Sequence, residues 1–204
     1  MIREFLVWLQ TVPGKGTGEM AQSWSEALLG SLNFWSLLEG SHLLALILFV
    51  GTILVVDLRL LGVTFRKTPV SVVSNTILPM TVFGFVFVVV TGLALFYAKP
   101  LVYYHNIWFR AKMILLALAM LNILIFHSRI QASQGLWDAD AKPPVGVRRA
   151  AVLSLTAWLL VLSCGRLIAY DWFNCGKPHT DFINWAESCK ASDDGAVDLA
   201  GKKL

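Results

Sequence analysis

The sequence predicts an all-α membrane protein, a bundle of four transmembrane helices, on three observations. Four long apolar stretches, roughly residues 34–56, 72–97, 108–126 and 150–172, each reach or nearly reach the ~20 residues needed to cross a ~30 Å hydrocarbon core. The 204-residue chain is 56% hydrophobic and 15% charged, with a mean hydropathy of +0.65, which is too oily for a typical soluble domain. Its net charge of +4 is concentrated in the connections between stretches, as an orientation signal and not as a nucleic-acid surface. Lipid offers the backbone no hydrogen bonds, so the spans are helices rather than strands. The expected organisation is an interfacial segment at residues 1–32, a four-helix transmembrane domain at 33–172 and a polar tail at 173–204.

Residues 1–12 place Phe5, Trp8, Leu9 and Val12 at helical spacing, too short to span but suited to lying in a membrane interface. Pro13–Glu19 reads as a turn-rich linker; its GKGT lacks the spacing of a phosphate loop. Ala21–Leu32 is an amphipathic approach, with Trp24, Leu28 and Leu29 leading to the first span. The first connection carries Arg59, Arg66 and Lys67, and the last carries Arg129, Lys142, Arg148 and Arg149. By the positive-inside rule both face the cytoplasm, which puts both termini in the periplasm of a bacterial inner membrane. Lys99, Arg110 and Lys112 count against this orientation, although Arg110 and Lys112 follow Trp108 closely enough to belong to the third helix. Trp35, Tyr97, Tyr103, Tyr104, Trp108 and Trp172 mark the outer boundary as an aromatic belt. Gly135–Gly146, with Trp137, Asp138, Asp140 and the Pro143–Pro144 pair, reads as an ordinary loop. In the tail, Cys175 and Cys189 are expected to form a disulfide in an oxidising compartment.

Ionisable groups inside these helices single out a site. Burying one in lipid costs about 2.5–3.5 kcal/mol on insertion scales, so such groups usually line an interior and mark function. Glu39 and His42 share a face of the first helix, and Asp57 returns to that stripe 18 residues after Glu39. At 1.5 Å per residue, His42 lies about 10 Å below Trp35, Lys112 about 6 Å below Trp108 and Arg166 about 9 Å below Trp172. An acid, an imidazole and two cations are thus expected at one level. Gly51 and Gly92 would admit a neighbouring helix or a flat ligand. The same charges also fit a salt-bridge network that fixes helix register, and Arg166 and Lys112 also fit snorkelling to the outer interface. His42 and His127 are the candidate metal ligands. The first and third helices run parallel, which puts those two histidines near opposite membrane faces and makes one haem clamped by both geometrically poor.

The stretch LLEGSHLLALILFVGTILVVDLRLLG, with His42, Gly51 and Arg59, resembles the first helix of a bacterial superfamily of small helical membrane proteins. Its members include the HemJ-type protoporphyrinogen oxidases and the copper-resistance CopD domains. The third helix adds Trp108, Lys112 and the later His127, in WFRAKMILLAL and beyond. The resemblance covers roughly residues 35–172. It implies b-type haem and tetrapyrrole oxidation on the HemJ side, and copper uptake on the CopD side. It also implies that His42 is the haem or metal ligand and Lys112 a second ligand or a propionate partner. The glycine spacing is one residue longer than the family's, and the cysteine-bearing tail is an addition to it.

The function expected from these residues is a membrane redox protein holding iron as b-type haem, with His42, Lys112, Glu39, Arg166 and Gly92 around the cofactor. The alternatives are a copper or small-anion transport component, for which Met113 and Met120 lie seven residues apart, and a non-catalytic subunit. No catalytic residue is assigned. The partners expected are the lipid bilayer and either a redox protein or a second copy of the chain, with no nucleic acid.

Overall fold

The computed structural model describes residues 2–15, 22–126, 128, 131–170 and 180–186. Its elements in order are α1 (Ile2–Thr11), a short antiparallel pair β1 (Pro13–Lys15) and β2 (Gln22–Ser23), α2 (Trp24–Gly30), α3 (Leu32–Leu60), α4 (Val70–Ala98), α5 (Pro100–His105), α6 (Ile107–Ile125), a 3-10 turn at Gln131–Leu136, α7 (Val145–Ile168) and α8 (Asp181–Ala186). Among the described residues, four helices are long and apolar enough to cross a membrane, namely α3, α4, α6 and α7. The protein is all-α in its spanning part, as its sequence predicts. Large apolar side chains such as Leu44, Phe83 and Leu159 are more than 60% exposed on these helices, which is the surface a bilayer covers.

The chain divides into two compact units. The first comprises Met1–His42, Val89–Arg110 and Arg166–Leu204; the second comprises Leu43–Val88 and Ala111–Gly165.

In the first unit the helix ends are held by side chains. Ser23 caps α2 by accepting from Glu26 N–H at 3.1 Å, and Glu26 accepts the Ser23 N–H in return. That reciprocal box satisfies two donors the helix itself leaves open. The Ser25 hydroxyl, 1% exposed, donates to the Ala98 carbonyl at 2.7 Å, fastening α2 to the end of α4. Asn106 accepts from the N–H groups of Trp108 and Phe109, capping α6, while its amide reaches the Ile168 carbonyl at the last residue of α7. α1 packs against α5 and α2 and buries Leu6, while Phe5 and Trp8, stacked at 5.8 Å, remain exposed as an interfacial helix requires. Lys99 lies 4.6 Å over the Trp35 ring.

The second unit has one packed interior built from segments of all four spanning helices. Phe49 of α3, Ala119 of α6 and Trp158 and Val161 of α7 form its centre, with Val88 of α4 packed against them. Phe49 meets Trp158 edge-on at 5.0 Å. Lipid tails are as apolar as these side chains, so close fit rather than water exclusion holds such helices together. Gly84 supplies that fit. A Cβ there would lie 3.0 Å from the Phe49 nitrogen and 3.1 Å from its Cα. Neither is a side chain that can swing aside, so Gly84→Ala is expected to force α3 and α4 apart and cost about 1–3 kcal/mol, read as a lower thermal midpoint in detergent.

At the charged-loop end of this unit, the sequence expectation of an ordinary loop at Gly135–Gly146 is corrected. Trp137 is 4% exposed and packs with Leu60, Val70, Val147 and Ala151. Asp138 caps α4 from that loop. Its carboxylate accepts the Ser71 N–H at 2.7 Å and the Ser71 hydroxyl at 2.5 Å, and its carbonyl accepts the Val70 N–H. Arg59, expected in the first connection, instead lies in the last turn of α3 and is fully buried. Its guanidinium donates to the carbonyls of Thr68 at 2.8 Å, Asp140 at 3.0 Å and Asp138 at 3.4 Å. Gly62, with φ +71°, closes α3: its N–H bonds Arg59 O and the Val63 N–H bonds Leu58 O, a Schellman ending that places the left-handed residue at glycine.

Burial alone would raise the Asp138 carboxyl, but the bonds from Ser71 and Gln134 and the Arg59 charge outweigh it and hold the group below its ordinary 3.8. A carboxyl lowered on folding stabilises above its unfolded value, and that contribution disappears as pH falls through its folded value. Stability is therefore expected to drop below about pH 4 more steeply in the native sequence than in Asp138→Asn, a cap loss of about 1 kcal/mol by acid titration of the melting point.

Candidate functional site

His42 sits half-buried on α3, at the last residue of the first unit's α3 segment. Two successive residues of α4 in the same unit define its surroundings. The Thr91 hydroxyl, itself on a residue 5% exposed, lies 2.8 Å from His42 Nδ1. A Cβ at Gly92 would come within 3.2 Å of Cε1 and 3.8 Å of Nδ1, so the missing side chain is what lets the imidazole approach α4 this closely. When the hydroxyl accepts from Nδ1–H, the ring lone pair is left on Nε2. That is the tautomer a metal-binding imidazole uses, with a second group fixing ring orientation through the other nitrogen.

The other expected site residues are placed as follows. Gly92 is brought against His42. Glu39 is exposed on α3 rather than turned to an interior, and its charge bears on Tyr103 of α5. Burial first, and then Glu39, push the Tyr103 phenol above its ordinary 10.0. Tyr103 stacks with Phe109 at 5.2 Å and Phe96 at 6.2 Å. Arg166, exposed on α7, holds its guanidinium 4.9 Å over the Tyr170 ring.

Lys112 belongs to the second unit, half-buried on α6. Its Nζ would lie 3.7 Å from a Cβ at Gly165, an ordinary contact distance, so the ammonium lies beside α7 at that glycine. The buried Cys164 thiol precedes Gly165 on α7 in the same unit. Gly51 lies in a groove of about 300 Å³ with Leu43, Leu46, Ile47, Val50 and Leu162, an apolar surface without ligating atoms. His127, His179, Trp172 and the expected Cys175–Cys189 disulfide lie outside the described residues. Among the described residues, no three His, Cys, Asp or Glu side chains are grouped so as to hold a metal ion.

The sequence reading missed Thr91 and Gly165. Thr91 carries only the weak signal of a polar residue directly before a glycine in an apolar helix, and Gly165 that of a glycine beside a cysteine.

The model of one protein family matches residues 32–171, from the first residue of α3 to just past the end of α7. The chain belongs to DUF6644, a family of unknown function. The DUF6644 match thus takes in all four spanning helices together with His42, Thr91, Gly92, Lys112 and Arg166. No curated protein and no solved structure matches the chain. None of these comparisons supports the expected relationship to the HemJ-type or CopD-type proteins.

Proposed function

We propose that this protein binds b-type haem through His42 and takes part in redox chemistry in the bacterial inner membrane, with both termini periplasmic. One observation carries the reading: His42 Nδ1 is tied to the Thr91 hydroxyl at 2.8 Å beside a glycine that lets the ring approach α4 closely. Any imidazole in an apolar helix needs a partner for its ring N–H. One set for ligation needs that partner in a fixed place, because iron requires the lone pair at a defined nitrogen and in a defined direction.

The residues present fit the group in part. His42 offers an axial nitrogen, and Thr91 holds its tautomer and increases its basicity. Arg166, in the same unit as His42, is the cation available to neutralise a propionate. Haem, when bound, supplies a one-electron iron couple whose potential follows from the axial ligands and the polarity of the pocket. The apolar faces of α3 and α4 would exclude water from the iron side of the imidazole, which favours a stable couple over reaction with solvent. The orientation rests on Arg66, Lys67, Lys142, Arg148 and Arg149, all in or beside the connections at one end of the spans. The copper reading gains nothing from Met113 and Met120, which are each 44% exposed and so turned away from the packed core.

The test is an absorption spectrum of the purified protein, oxidised and then reduced with dithionite, with iron and copper assayed on the same sample. A Soret band that sharpens on reduction, with new α and β bands and iron near one per chain, is the expected result. A colourless protein without iron overturns the proposal; copper in its place would transfer the site to metal transport.

A further inference from the structure

Asp57 lies on α3 three residues before its end, about 5 Å along the helix axis from the charged-loop side. It is 5% exposed. Ser154 of α7 lies beside this carboxyl, and Oδ2 is buried with no hydrogen-bond partner among the described residues. Asn122 of α6 donates to the Ala150 carbonyl at 3.1 Å, and Ala150 precedes Ser154 by one helical turn. Side chains from α3 and α6 therefore converge on one polar face of α7 inside the second unit.

The charges around this carboxyl do not neutralise it. Arg59, two residues on, directs its guanidinium into the carbonyls of Thr68, Asp138 and Asp140. On α7, Arg148 and Arg149 lie in the first turn, while Arg166 lies three turns beyond Ser154. On α6 the charged residues are Arg110 and Lys112, with Lys112 about 15 Å along the axis from Asn122. α4 has no charged side chain between Val70 and Ala98. A bare carboxylate in such a place carries the full cost of an unpaired buried charge, whereas a protonated carboxyl leaves only a neutral polar group there.

We propose that Asp57 is a proton-binding site. The proton adds to the carboxylate at Oδ2, forming one O–H bond and removing one negative charge, and exchanges with water at the charged-loop end of α3. The site uses none of the residues proposed to hold haem, so it stands or falls independently of that reading.

Infrared spectroscopy of the full-length protein in detergent tests it. At pH 7 exposed carboxyls are ionised, so a protonated-carboxyl C=O band is diagnostic. The expected result is one such band at pH 7 that moves to lower frequency in D2O and is lost in Asp57→Asn, which preserves side-chain volume. Should that variant fail to fold, Ser154→Ala provides the second reading: the carboxyl stays and the band moves to higher frequency as its polar neighbour is lost. No protonated-carboxyl band in the native protein would mean that Asp57 is ionised against a cation, and would overturn the proposal. A band that survives Asp57→Asn, one that Ser154→Ala leaves in place, or one unmoved by D2O would also overturn it.

Discussion

Replacing His42 with alanine is expected to abolish haem retention in the purified protein without reducing its insertion into the membrane. Insertion depends on the apolar length of the spans, and the best 18-residue window of α3 has a mean hydropathy of 2.4, far above what one imidazole can change. Retention depends on the nitrogen itself. Thr91→Val separates ligation from simple packing. Valine keeps the volume of threonine and removes the hydroxyl that orients Nδ1, so it should lower haem affinity about 10- to 100-fold while the chain stays folded. Spectra of the two variants at matched protein concentration decide the matter. Full haem occupancy in His42→Ala would remove His42 as the ligand, and an unchanged affinity in Thr91→Val would reduce the 2.8 Å contact to packing.

Arg59→Ala should produce the largest loss of stability, about 3 kcal/mol. The guanidinium, fully buried, satisfies carbonyls from the connection after α3 and from the loop before α7. A hydrogen bond to a charged group contributes about 1.5–3 kcal/mol, and each acceptor left buried and unpaired costs about 1–3 kcal/mol. The total is smaller than the sum of those terms. The Asp138 contact at 3.4 Å is long, and Nη1 is already buried without a partner among the described residues. Arg59→Lys keeps the charge but replaces a planar fork with a point donor, so it should fall between the two. The measurement is thermal unfolding in detergent followed by tryptophan fluorescence, since Trp137 packs beside Leu60 in the same cluster. An Arg59→Ala protein with an unchanged midpoint would show that solvent or a rearranged loop replaces the lock.

The spans were legible because an apolar run of about 20 residues has few other uses. Their ends were less so. α7 starts at Val145 and not at residue 150, because the exposed Arg148 and Arg149 occupy its first turn, where hydropathy reads them as loop. α5 was missed because six residues opened by Pro100 carry too little periodic pattern to register. Of the candidate site, His42 was visible as an ionisable residue in an oily stretch. Thr91 was not, since a helical threonine commonly bonds its own preceding turn and its partner depends on how α4 is rotated. Arg59 was misplaced for a related reason. Its burial depends on carbonyls at residues 68, 138 and 140, and a carbonyl leaves no trace in sequence.

That last property sets what this end of the molecule tolerates. A guanidinium that grips main-chain oxygens reads chain length and ignores side-chain identity. The loop surfaces from Thr64 to Thr68 and from Ala139 onward can therefore be rewritten broadly, except at Asp138, whose own carboxylate holds the start of α4. A single inserted or deleted residue in either loop is a different matter, because it carries the oxygens out of reach of a side chain that cannot follow. Related chains can thus drift in composition here while keeping the same number of residues between the arginine and its acceptors.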